Sequence, residues 1–123
     1  MDHIFDENQP IYLQIKQRIC AAILRGEFVA GDKLPGVVDA AMYYKVNHNT
    51  IQHVYQELIR DGIAISRRGE GTFVTDDKKV LKKMQSELQD YFLEGFVRQM
   101  LRLGHQKEDL PHIVQAYVTR QQQ

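Results

Sequence analysis

The chain has 123 residues, 43% of them hydrophobic, which fits one compact domain, or a small domain with an appendage, around a true core and excludes a largely disordered chain. Lys plus Arg and Asp plus Glu both number 16, so a net charge of zero gives no global pull toward nucleic acid or membrane, and any such role must come from local patches. A lone cysteine, Cys20, excludes an internal disulfide framework and fits a reducing compartment.

The opening "MDHIFDENQP" is acidic and polar where a signal peptide would be basic and then apolar, and no apolar run approaches the roughly 18 residues that span a bilayer. A soluble, cytoplasmic protein with no membrane association is expected. Pro10 suits the first turn of a helix, and Ile11, Ile15, Ile19, Ala22 and Ile23 then recur on one helical side until Gly26 stops it. The turn-rich "VAGDKLPG" turns the chain, after which Val37, Val38, Ala41 and Met42 suggest a short helix with a narrow apolar stripe, ending near Tyr44 to Lys45.

Asn47 is a good N-cap for the next helix, whose Ile51, Val54, Tyr55, Leu58 and Ile59 fall at i, i+3, i+4, i+7 and i+8 before Gly62 closes it. Two short β-prone runs, Ile63 to Ile65 and Phe73 to Val74, flank "SRRGEGT" and predict a hairpin whose glycines supply the turn angles. From Val80, residues such as Leu81, Met84, Leu88, Tyr91, Phe92, Phe96, Met100 and Leu103 fit a long amphipathic helix interrupted only by Gly95 and stopped by Gly104. A last helix starts near Leu110, with Asp109 as its cap and Pro111 in its first turn, and frays over Gln121 to Gln123. The expected fold is mainly α with a small β-hairpin, a winged helix-turn-helix over residues 1–77 followed by a two-helix dimerisation tail over 78–123.

In such a fold the second helix of the pair offers its N-terminal residues to base edges in the major groove. Here the outward positions are His48, Asn49, Thr50, Gln52, His53 and Gln56, all polar, and no acid interrupts them before Glu57. Asn and Gln can pair bidentately with adenine, and Thr can meet a phosphate or a thymine methyl. A solvated helix face would also be polar, and the hairpin alone reads equally well as an ordinary solvated turn. Helix and hairpin together favour DNA: Arg67 and Arg68 would meet phosphates or the minor groove, Gly69 and Gly71 would let the backbone approach, and Thr72 would add a hydroxyl.

The long helix carries more apolar residues than packing on a small winged domain requires, which points to a partner surface. A homodimer is the simplest partner, with Leu88, Tyr91, Phe92, Phe96 and Met100 at its seam; the stripe can equally fold back on the last helix, and both can hold. Lys78, Lys79, Lys82 and Lys83 read first as a solvated helical start and second as contacts to flanking phosphates. A tail this small leaves little room for a pocket, so any small-molecule effector, which the sequence does not identify, is placed at the dimer interface or between tail and DNA-binding domain. No metal site is expected, since His48 and His53 are five apart and do not share a face, and His105 and His112 straddle a break. No nucleophile, acid–base pair or phosphate-binding loop appears, so neither an enzyme nor a cofactor is expected.

The stretches "PIYLQIKQRICAAILRGEFVAGDKLPG", "VNHNTIQHVYQELIRDGIA" and "RRGEGTFV", in this order and spacing, resemble the DNA-binding domain of the GntR family of bacterial transcriptional regulators. The tail from Lys78 to Arg120 is similar to the YtrA-type subfamily, whose members lack a large ligand-binding domain and dimerise through such helices. The resemblance implies a dimeric regulator, most often a repressor, on a palindromic operator. One departure stands out: where the family usually has Ser and then, two residues later, a DNA-contacting Arg, this chain has Gly36 and Val38. Residues 33–73 hold five Lys or Arg against four Asp or Glu, so weak non-specific affinity and an unusual operator are expected, with pH sensitivity through His48 and His53. The rival is a winged-helix protein-interaction module that has lost its operator.

Overall fold

The computed structural model describes residues 8–122 and divides into two compact units, the first ending at Gln85 and the second beginning at Ser86. The opening stretch weighed against a signal peptide, residues 1–7 of the expected DNA-binding domain and the final Gln123 lie outside the described residues.

In the first unit, α1 (Ile11–Leu24) starts directly after Pro10, whose carbonyl accepts from the Gln14 amide at 3.3 Å. Its buried side holds Ile15, Ile19, Ala22 and Ile23 of the expected stripe and adds Cys20, whereas Ile11, in the first turn with less chain packed against it, is 47% exposed. Gln14 is buried with them, and its side-chain amide donates to the Gln9 carbonyl at 2.9 Å. Burial pushes the Cys20 thiol up to about 11, which leaves it a small core hydrophobe and not a reactive thiolate.

The second helix, α2 (Val37–Tyr44), buries Ala40 and Ala41, whereas Val38 and Met42 are 54% and 71% exposed. That corrects the expected stripe. At about 100° per residue, Val37, Val38, Ala41 and Met42 spread over some 140° of arc, too wide for an eight-residue helix with one shallow contact. The buried side is instead centred near Val37, with the two alanines allowing close approach. Lys45 ends the helix in the left-handed conformation at φ 59°.

Helix α3 (His48–Arg60) begins as expected, with the Asn47 side chain accepting from the Thr50 amide at 3.0 Å. Ile51, Val54, Tyr55 and Leu58 are buried, while Ile59, at the edge of the stripe, remains 37% exposed. Tyr55 donates its hydroxyl to the Pro35 carbonyl at 2.6 Å and so fixes the loop ahead of α2 to the centre of α3. Lys16 joins α1 to the far end of α3, bonding Glu57 at 3.0 Å and Asp61 at 2.9 Å.

Strands β1 (Ala64–Arg67) and β2 (Gly71–Val74) pair antiparallel, with Ile65 opposite Phe73 and Arg67 opposite Gly71. A third segment lies along β2: Leu34 donates to the Thr72 carbonyl and Val74 to the Asp32 carbonyl, both at 2.8 Å, and Lys33 bridges Phe73. What reads in sequence as a turn therefore also holds the free edge of the hairpin. The core below it centres on Ile15, Ile51, Val54, Leu58 and Val74.

Asp77 caps α4 (Lys78–Arg102) by accepting from the Lys79 amide at 2.9 Å. Helix α4 runs through Gly95 without a break, so the expected interruption does not occur; one glycine costs a helix interior only about 1 kcal/mol, within reach of its neighbours' propensity. Gly104 stops it at φ 96°, and a single 3-10 turn, Lys107–Asp109, leads into α5 (Leu110–Gln121), where Leu110 is buried.

Candidate nucleic-acid interface

The first two turns of α3 display His48, Asn49, Gln52 and Gln56 to solvent, because the four buried residues of the helix all lie on its other side. Thr50 is half-buried, and its hydroxyl leans on the Asn47 cap at 3.4 Å, so it serves the helix start as well as the surface. His53 is exposed but engaged: its ring stacks on Tyr12 with centroids 4.1 Å apart, and its Nε2 lies 3.1 Å from a Glu57 carboxylate oxygen. Sequence spacing put it on the outward face without showing that Tyr12 of α1 would reach it. Met42 and Val46 share a shallow concavity with His48 and Asn49, so apolar side chains adjoin the polar helix start.

The acids of α3 lie at its far end and are compensated there. The hydrogen bond from Lys16 holds the Glu57 carboxyl below its ordinary value, with Arg60 and His53 adding to it. Burial acts to raise the Asp61 carboxyl, but the bonds from Lys16 and Arg60 outweigh it and leave it lowered. Both carboxylates are thus ion-paired at the C-terminal end of α3.

On the hairpin, Arg67 is the last residue of β1, at the base of the tip, and its guanidinium lies 4.4 Å from the centre of the Phe73 ring. The tip itself is Arg68, Gly69 and Glu70, closed by the Glu70 amide donating to the Arg67 carbonyl at 2.9 Å. Gly69 has φ 75° and open space around it, as a tip that approaches another surface needs. Gly71 is constrained twice: φ is 126°, and a Cβ there would lie 2.7 Å from Lys33 Cε. The same geometry places the Lys33 ammonium 3.5 Å from that position, on the hairpin beside the arginines, with Thr72 half-buried next to Gly71.

Lys33 is a basic residue that sequence reasoning missed. The only signal was Lys33 within "GDKLPG", and its cross-chain pairing to β2 is invisible without the fold. The hairpin and the segment paired to it thus carry Lys33, Arg67 and Arg68 against Asp32 and Glu70.

In the second unit, Tyr91, Phe92 and Phe96 are 45%, 55% and 36% exposed, and Leu88 and Met100 are half-buried. The five residues expected at a dimer seam therefore all retain accessible apolar surface in the single chain. Among the described residues no group of His, Cys, Asp and Glu could hold a metal ion, and no helix is long and apolar enough to cross a membrane.

Comparison with known proteins sets this geometry in a family. The gntR family of bacterial regulatory proteins matches residues 11–74, just over half of the chain. The HTH-type transcriptional regulator YhcF of Bacillus subtilis is 44% identical over 110 residues, which are 89% of this chain and 91% of YhcF. The HTH-type transcriptional repressor YtrA of the same organism is 41% identical over 70 residues, 57% of this chain and 54% of YtrA. Among solved structures, a GntR family transcriptional regulator from Listeria monocytogenes superposes with a TM-score of 0.81 at 36% identity, over 91% of this chain and 98% of that one. The DNA-binding domain of AraR in complex with operator ORX1 superposes with a TM-score of 0.55 at 27% identity, over 58% of this chain and 93% of that one. These relatives are transcription regulators and not enzymes. The chain belongs to the gntR family of bacterial regulatory proteins and is a DNA-binding transcriptional regulator.

Proposed function

We propose that the chain acts in the cytoplasm as a homodimeric repressor on a palindromic operator, with residues 1–77 binding DNA and 78–123 joining the two copies. The observation that carries this reading is the pairing of an acid-free helix start, His48 to Gln56, with a hairpin that carries Arg67 and Arg68 and is joined to the Lys33 segment by two 2.8 Å backbone hydrogen bonds. The anchoring matters because a cation on a rigid edge loses little freedom when it meets a phosphate.

Asn49 and Gln52 read base edges, His48 and Thr50 contact the flanking backbone, and His53 sits at the rim where Tyr12 orients it. Arg67, Arg68 and Thr72, with Gly69 and Gly71 permitting close approach, hold the phosphates beside the recognition helix. Val38 presents methyl groups where the family usually has a DNA-contacting Arg, and exposed Met42 lies on the same helix, which suits a thymine-rich operator. The seam of Leu88, Tyr91, Phe92, Phe96 and Met100 sets the separation of the half-sites. Repression is supported by the function named for YtrA, and operator binding by the AraR complex.

Selection of bound duplexes from a random pool by the purified protein, repeated at rising salt, tests the reading. A palindrome with half-sites about one helical turn apart is expected. A folded dimer that enriches no sequence would instead identify an interaction module that has lost its operator.

A further inference from the structure

Two side chains of α1 meet two of α3 at matching intervals. Tyr12 stacks on His53, and one turn further along both helices Lys16 bonds Glu57 at 3.0 Å. Side chains four apart stand on one face of a helix, so each helix brings both of its residues to the same contact. His53 is also held within α3: its Nε2 lies 3.1 Å from Glu57 Oε2, while Lys16 takes Oε1. A ring stacked on one face and bonded at one nitrogen cannot turn freely, yet the side chain keeps 48% of its surface exposed.

The Glu57 contact decides which nitrogen carries the proton. The hydrogen bond from Lys16 holds the Glu57 carboxyl below its ordinary value, so the group is an ionised acceptor with no proton to give. Nε2 must then be the donor. A neutral imidazole has one N–H, which leaves Nδ1 a bare acceptor. Nδ1 lies on the opposite edge of the ring, turned from Glu57 toward the N-terminal half of α3, and among the described residues nothing hydrogen-bonds it.

Against DNA an acceptor is selective. It finds no partner on a phosphate, whose oxygens are acceptors too, nor on the O6 of guanine or the O4 of thymine. In the major groove only adenine N6 and cytosine N4 offer it a hydrogen.

We propose that His53, in its neutral form, is a specificity-determining residue that accepts through Nδ1 from the exocyclic amine of an adenine or cytosine at the edge of each half-site, with Glu57 and Tyr12 as the residues that position it. This role rests on α3 entering the major groove, as proposed above, and adds the bases that one side chain selects.

The test has one arm without DNA and one with it. The free full chain, carrying ¹⁵N-labelled histidine, is studied at about pH 8.5, above the ordinary range of imidazole protonation. Its His53 ring-nitrogen shifts, assigned by their loss in His53→Ala, should show a proton on Nε2 and none on Nδ1. A proton on Nδ1 would overturn the proposal whatever happens with DNA. Duplexes are then selected from a random pool at the same pH by the parent, His53→Ala, Glu57→Ala and the double variant. At one position of each half-site the parent should favour adenine or cytosine over guanine and thymine about tenfold, the scale of one hydrogen bond. His53→Ala should lose that preference there alone, Glu57→Ala should weaken it, and the double variant should match His53→Ala. An unchanged profile in His53→Ala, guanine or thymine favoured at that position, a preference at full strength in Glu57→Ala, or a Glu57→Ala effect that persists without His53 would each refute it. A parent that enriches no sequence while Nδ1 is bare would sink the operator reading itself, and this role with it.

Discussion

Lys33→Ala separates a hairpin that touches DNA from one that is merely basic. Residue 33 meets β2 through backbone hydrogen bonds of its neighbours, Leu34 to Thr72 and Asp32 to Val74, so removing the side chain leaves the third segment paired. The fold should lose no more than about 0.5 kcal/mol, the usual range for an exposed substitution. In a dimer, two Lys33 ammonium groups leave the interface, and at about 0.9 per phosphate contact the slope of log K against log salt should flatten by about 1.8. Over a fourfold rise from about 50 to 200 mM salt, the variant should therefore lose roughly tenfold less affinity than the parent.

Arg68→Ala should do the same, and the double variant should flatten the slope by about 3.6. Arg67→Ala should do less, because its guanidinium is partly held by the Phe73 ring. Fluorescence anisotropy with labelled operator at several salt concentrations reads all of these, with exposed Lys107→Ala in the second unit as the control. A slope unchanged in Lys33→Ala and Arg68→Ala alike would remove the hairpin from the DNA interface.

Asn49→Ala should relax base preference at one operator position by about 1 to 3 kcal/mol while leaving the salt slope unaltered, measured against a panel of single-base operator variants; equal losses on every sequence would make Asn49 a backbone contact. Phe92→Asp should give monomers in sedimentation equilibrium, since a carboxylate would be buried at the seam; a persistent dimer would move the interface elsewhere. Glu57 and Asp61 are held below their ordinary values of 4.5 and 3.8, so as pH falls the unfolded chain takes up protons first. Their contribution to stability is present above those ordinary values and is lost as pH falls through the lower folded ones. Urea midpoints should thus drop across that acid window, and Lys16→Met should flatten the drop; an identical pH profile in the variant would show that the Lys16 bonds do not set it.

Much of the architecture could be read from local patterns. The periodic stripe of α3, the Asn47 cap and the glycine stops at Gly26, Gly62 and Gly104 are governed by residues within a turn of one another, where sequence spacing and backbone preference act directly. What stayed hidden depends on partners far along the chain. Lys33 reaches the hairpin only because residues 31–34 pair with β2, and Tyr12 finds His53 across 41 positions. Helix α2 misled because eight residues sample barely two turns, and Val38 and Met42 look like core when counted without the packing of Ala40 and Ala41. The outward residues of α3 were legible as a surface, while His53's stacking was not.

The central claim is that the start of α3 lies in the major groove of each operator half-site. Cys20 is buried at 4% exposure, so in Asn49→Cys the new thiol alone is open to an iron–EDTA label that cleaves nearby DNA. The account predicts two clusters of strand cleavage, symmetric about the operator centre and about one helical turn apart, each within a major groove. Cleavage spread evenly along the duplex, or clusters confined to the minor groove, would contradict it.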